Sequence, residues 1–242
     1  MGIHLFACSL FNVTGSDGNG GYKIDGQVDA TWQHQQLAAQ INGPIANYFD
    51  GELNSSLALA VNIEEGDDYQ YFVDANVDLS NASYRLTGPL NKSKGEPATI
   101  NISVLGDANS NDVYIDLANE LKFMGVIPAI SGRMEQAILA IGEHDQVASL
   151  LLPESGFNID IKLPNIEFDP TLSFVMDLLD SLPSGGEESG SFMDPPQLIK
   201  GQFDNVYIFG QRWQNIALTA QPNNDDWLFH AVGKDVDAKV LV

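Results

Sequence analysis

From Leu57 to Leu79 nearly every second residue is apolar. Leu57, Leu59, Val61 and Ile63 occupy odd positions. After an acidic turn at Glu65-Gly66-Asp67, the odd positions carry Tyr69, Tyr71, Val73, Ala75, Val77 and Leu79. Most even positions are polar or small. Successive side chains of a strand point to opposite faces, so a period of two predicts two strands that share one apolar face and one wet face. The helical period would scatter the same residues around an axis and leave no apolar side.

The pattern recurs along the chain. Tyr22, Ile24, Val28 and Trp32 fit one face of a strand, and so do Ile100, Ile102 and Val104. Val113, Ile115 and Leu117 follow a polar turn, and Phe157, Ile159, Ile161 and Leu163 alternate with Asn158, Asp160 and Lys162. Ile216, Leu218 and Ala220 repeat it, as do Val236, Ala238 and Val240. Turn signals separate these runs at Gly18–Gly21, Gly95-Glu96-Pro97, Asn109–Asp112 and Pro222–Asp226. The expectation is a mainly β fold built as an antiparallel meander. Runs of about eleven residues rise about 35 Å, longer than usual for a compact domain, and favour an extended sheet. Alternation alone fits the core of a closed β-sandwich equally well.

One stretch reads as helix. Asp169 can cap, Pro170 suits the first turn, and Leu172, Val175, Met176, Leu179 and Leu182 share a face before Pro183 and Gly185-Gly186 stop it. An amphipathic helix is therefore expected near 170–182, packed on a sheet surface or closing one end. Ser184 to Pro196 is rich in Gly, Ser, Glu and Pro and reads as an acidic loop. The expected organisation is a β segment over 1–183 with the helix at its end, the loop over 184–196, and strands of the same sheet continuing over 197–242. The chain ends inside a strand-like run, which suggests a fragment of something longer. Trp32 to Ile41 fits helix or strand.

Charge narrows the function. The 242 residues contain 11 Lys and Arg against 33 Asp and Glu, a formal charge of −22. Nucleic acid is a poor partner for such a surface, because phosphate binding needs clustered cations. The single cysteine, Cys8, rules out an internal disulfide and any two-thiolate site. Only seven residues precede it, none of them Lys or Arg, too few for a lipoprotein signal. No apolar run reaches the roughly 20 residues of a membrane-spanning helix.

Catalytic signatures are missing from the sequence. His4, His34, His144 and His230 lack metal-ligand spacing. Asp107 to Asp112 begins like a calcium loop but has Asp112 where a glycine belongs and Ala118 where a bidentate glutamate belongs, so polar turns are the better reading. There is no Gly-x-Ser-x-Gly elbow, and Gly18–Gly21 leads into a strand pattern where a phosphate loop requires a helix. No catalytic, cofactor or metal residue is expected.

Positions 43 to 107, "GPIANYFDGELNSSLALAVNIEEGDDYQYFVDANVDLSNASYRLTGPLNKSKGEPATINISVLGD", resemble the C-terminal region of the YhdP family, with "GPLNKSKG" the most specific element. "PESGFNIDIKLPNIEF" (153–168) and "PPQLIKGQFDNVYIFGQRWQNIALTAQP" (195–222) resemble the same region in the same order. The resemblance implies a large AsmA-like envelope protein of Gram-negative bacteria. Its fold would be a long, curved, open β-trough with an apolar lining, in the periplasm. An inner-membrane anchor and further β-repeats would lie outside this chain. The implied role is movement of phospholipid between the inner and outer membranes and upkeep of the outer-membrane barrier, without enzymatic chemistry.

Phospholipid acyl chains are then the expected partner. The expected groove lining is Leu57, Leu59, Val61 and Ile63; Tyr71, Val73, Ala75 and Val77; Ile100, Ile102 and Val104; and Phe157, Ile159 and Ile161. The competing reading is a secreted β-sandwich that binds carbohydrate or cleaves glycosides with paired acids. Trp32, Trp213 and Trp227 would be its sugar platforms; packing in the core or rim is the plainer role for them.

Overall fold

A computed structural model describes residues 8–15, 22–33, 48–64, 68–85, 91–118, 120–142, 144, 150–168, 170, 171, 173, 177, 192–208, 210–224 and 226–241. The alternating runs become strands β1 (Cys8–Gly15), β2 (Tyr22–Gln33), β3 (Phe49–Ile63), β4 (Tyr69–Asp78), β5 (Ala82–Arg85), β6 (Asn91–Lys92), β7 (Thr99–Asp107) and β8 (Ser110–Leu117). They continue as β9 (Leu121–Pro128), β10 (Gln136–Gly142), β11 (Gly156–Glu167), β12 (Pro196–Ile208), β13 (Gln211–Asn223), β14 (Asp226–Val232) and β15 (Asp237–Leu241). All join one open sheet in the order β1-β2-β3-β4-β7-β8-β9-β10-β11-β12-β13-β14-β15, and β5 and β6 branch from β3. The sheet does not close: β1 and β15 are its two edges. The mainly β expectation of a long open sheet is met, and the closed sandwich is not the architecture.

Most ladders are antiparallel between sequence neighbours, as a meander requires. Two are not: β11 runs parallel to both β10 and β12. Parallel neighbours need a crossover connection over one face of the sheet. The first follows β10 and returns over the wet face. Lys122, on that side of β9, is buried and donates from Nζ to the His144 carbonyl at 2.7 Å. The His144 ring lies 3.7 Å from the Asp160 carboxylate on the same side of β11. Covered on both sides, β10 buries Ala137, Ile138, Leu139, Ala140 and Ile141 consecutively. That continuous apolar run is what an interior strand next to a parallel partner requires.

The second crossover follows β11. Phe168, Pro170, Thr171, Ser173 and Asp177 are helical; the other positions of the helix expected near 170–182 lie outside the described residues, as do 184–191 of the acidic loop. Thr171 Oγ1 donates to the Glu167 carbonyl at 2.7 Å and secures the start. Tyr48, just before β3, donates its hydroxyl to Asp177 at 2.6 Å. In a flat sheet β3 and β11 would stand roughly 29 Å apart, at about 4.8 Å per ladder. This bond therefore ties two distant parts of the sheet together. The turns at 18–21 and 65–67 and the segment 34–41 are outside the described residues.

Candidate functional site

Residues paired across a ladder project to the same side of a sheet, so the register shows which side chains share a face. One row begins at Val28 and passes through Leu57, Ala75, Ile102 and Ile115 to Phe123. It continues through Leu139, Ile159, Ile199, Ala220 and Phe229 to Val240. Every member from β2 to β15 is apolar. Leu59, Val73, Val104, Val113 and Ala137 form a second row, which reaches Phe157. Val77, Ile100, Leu117, Leu121, Ile141 and Ile161 form a third. Val61 pairs with Tyr71 and Ile63 with Tyr69 at the far end.

All fourteen residues expected to line a groove thus share one face of one sheet. The register also adds members that the expected lining left out. Phe123, Leu139, Ile199 and Leu218 sit in the same rows. Leu139 was hidden because the AILAI run of β10 does not alternate.

Exposure varies strongly along this face. Leu57 is 38% exposed and Ile159 4%, although both belong to one row. Tyr71, Val73, Ala75 and Val77 are half-buried, as are Ile100, Ile102 and Val104. Phe157, Ile159 and Ile161 are buried in a core cluster with Leu139, Leu163 and Phe203. A second gradient runs along the strands: Leu53, Leu79, Ala98 and Leu117, at one end of the face, are buried as well.

That closed end is built by β5 and β6. Tyr84 is buried and its ring packs against Phe49 with centroids 5.9 Å apart. Lys92, from the GPLNKSKG element, is buried; its ammonium donates to the carbonyls of Leu79 (2.8 Å), Ala82 (2.8 Å) and Ser93 (3.1 Å). It ties together carbonyls at the base of the short β5–β6 branch, of which that of Leu79 also accepts the Ala82 N–H at 2.9 Å. Burial lowers its pKa, against the opposing pull of Glu96 and Asp78. Gly95 holds φ at +93°, a conformation that glycine adopts freely, and its N–H donates to the Ser80 carbonyl at 2.8 Å. The Tyr84 hydroxyl donates to Glu120 at 3.2 Å. Burial and then the Glu120 charge push the tyrosine pKa upward. Burial likewise raises the Glu120 pKa, Glu96 adds to it, and the Tyr84 hydrogen bond partly offsets it.

At the opposite end, Tyr71 lies across Gly106, where a methyl group would collide with its ring, and its hydroxyl donates to Asn111. The wet face over β2 to β7 is mostly polar, with Phe72 and Leu105 exposed side by side on it: Thr31 donates to Asn54 at 2.8 Å and Asn76 to Asn101 at 2.8 Å. The Asp107 carboxylate accepts from the N–H groups of Asn109 (2.7 Å) and Ser110 (2.9 Å), which makes it the cap of a polar turn. This contact, more than charge, lowers its pKa. The described residues contain no group of three or more His, Cys, Asp or Glu placed to hold a metal. No helix among them is long and apolar enough to cross a membrane, which says nothing about crossing by strands.

The tryptophans lie on the apolar face. Trp32 and Trp213 pack against the core cluster, and Trp32 donates from Nε1 to Ser55 Oγ at 2.9 Å. Trp227 contacts Phe229, with ring centroids 6.3 Å apart.

The chain is 25% identical over 173 residues to the "Intermembrane phospholipid transporter YhdP" of Escherichia coli (strain K12), which covers 71% of this chain and 13% of that protein. The chain therefore spans about an eighth of the length of that relative. No solved structure matches. The family model described as "YhdP protein" matches residues 9–242, nearly the whole chain, and the chain belongs to the YhdP family.

Proposed function

We propose that this chain is a segment of a periplasmic bridge that conducts phospholipid between the inner and outer membranes, with the acyl chains lying along the apolar face of β2 to β9. The observation that carries this reading is the half-exposed part of the apolar rows. A soluble protein normally buries so continuous an apolar surface or uses it to hold something. The name of the Escherichia coli relative points to phospholipid as the occupant.

The energetics favour such a lane. Each CH₂ moved out of water gains about 0.8 kcal/mol, so two chains of about 16 carbons face a barrier of roughly 25 kcal/mol when they cross water unaided. Contact with Leu59, Val61, Val73 and Val104 removes much of that barrier without covalent chemistry. The headgroup stays in water at the open side. The buried end at Leu53, Leu79 and Tyr84 acts as a floor that keeps the lane to one side of the face. The role is non-enzymatic, and the membrane anchor and remaining repeats belong to the rest of the full-length protein.

The test is a pair of photo-crosslinking residues, one at Val73 on the apolar face and one at Asp74 on the wet face. The chain is purified from cells after illumination and weighed intact. Phospholipid adducts at Val73 and none at Asp74 support the lane; equal labelling, or none, removes it. Val73→Asp should leave a folded protein with reduced lipid occupancy, whereas a mere spacer would lose stability alone.

A further inference from the structure

We infer that the apolar face also holds a discrete subsite for one acyl chain, just beyond a crease shared by β11, β12 and β13. The inference rests on the lipid-lane reading and adds a fixed stopping place to it. Alternation fails at the same level in all three strands. Leu163 and Ile166 are both buried, with Pro164 and Asn165 exposed between them. Phe203 and Val206 repeat this three-residue step in β12, and Ile216 and Trp213 repeat it in β13. The steps are in register, since Leu163 pairs with Phe203 and Phe203 with Ile216, while Val206 pairs with Trp213. Asn215 turns the corner with φ at +53°, a region that asparagine tolerates better than most residues. Asn205 donates to Asn165 at 2.9 Å across the crease. Gly233 leaves room for Ile216, since a methyl group there would meet the isoleucine Cδ1.

Beyond the crease the face hollows into a cavity of about 310 Å³, lined by Val206, Ile208, Trp213, Ile216, Ala231 and Val236, with Gln211 the single polar residue. Its lining continues the apolar rows: Ile216 pairs with Phe203, and Ala231 with Leu218. A phospholipid tail is the occupant that fits. The walls offer hydrocarbon contact and almost no hydrogen bonding, so a sugar or peptide would lose its polar partners there.

The protein carries its own reporters, because bromine on an acyl chain quenches a tryptophan that it touches. The 242-residue chain is prepared in three versions that keep only Trp32, Trp213 or Trp227. Each is loaded from vesicles of phosphatidylcholine brominated on one chain, and the vesicles are then removed by gel filtration. The expected result is strong quenching of Trp213, at least twofold greater than that of Trp32, saturating at one lipid. Ala231→Phe, which fills the cavity, should abolish Trp213 quenching and leave Trp32 unchanged; Val236→Phe is the second variant should the first fail to fold. Quenching of Trp32 with none at Trp213 overturns the subsite and leaves the lane standing. Loss of quenching at all three tryptophans overturns both. Trp213 quenching that survives both cavity-filling variants also overturns the subsite. A cavity filled by the chain itself gives Trp213 emission indifferent to the brominated lipid, which overturns the subsite in the same way.

Discussion

Leu57 in β3 and Ile159 in β11 occupy one cross-strand row and arise from the same alternating pattern, yet they differ about tenfold in exposure, 38% against 4%. The strand around Ile159 lies between two parallel partners reached by crossovers, and the core cluster gathers there. The strand around Leu57 has antiparallel neighbours, and its apolar side remains partly open. An apolar stripe therefore marks a face without stating what covers it. In this protein one half of the face holds the fold together, and the other half stays partly open.

Substitutions of equal chemistry on the two halves should break that comparison most sharply. Ile159→Ala leaves a cavity in a packed site and should cost about 2–5 kcal/mol. Leu57→Ala truncates a side chain that is 38% exposed, at a site with no enclosed cavity to leave, and should cost about 1 kcal/mol. Urea unfolding measures both, and equal costs would erase the distinction. The next effect lies at the floor of the open half. Lys92→Met removes the ammonium that the carbonyls of Leu79, Ala82 and Ser93 accept from, leaves Leu79 with its bond from the Ala82 N–H, and should cost about 2 kcal/mol, since hydrogen bonds to a buried charge are lost. A melting temperature unchanged by that substitution would mean the floor does not depend on the ammonium.

Asn215→Ala tests the crease. An alanine held at positive φ costs about 1 kcal/mol, so a modest loss of stability is expected, together with weaker Trp213 quenching if the crease shapes the cavity. The smallest effect is one of pH. The folded state raises the Glu120 pKa, so the folded protein binds this proton more readily than the unfolded chain. The corresponding stability is present below the usual glutamate pKa and is lost as pH rises through the folded value. Glu120→Gln should therefore flatten a shallow decline in stability above about pH 4.5 and stabilise slightly at neutral pH. A steeper decline in the variant would contradict the direction of the shift.

The sequence determined the strands and their faces. Side-chain direction follows from local backbone geometry with a period of two, so Leu57 to Ile63, Tyr71 to Val77 and Phe157 to Ile161 declare their common side without tertiary information. The same locality explains the polar turn at Asp107 and the helical start at Pro170. The parallel placement of β11 was not legible, because its own residues alternate as those of an antiparallel strand would. Nor was the crease: Pro164 and Asn215 look like ordinary loop residues until three strands align them. What only the tertiary structure decided is coverage. Burial is a relation between distant segments, such as Tyr48 meeting Asp177 or Lys122 meeting the His144 carbonyl, and no local period encodes which half of an apolar face another segment will occupy.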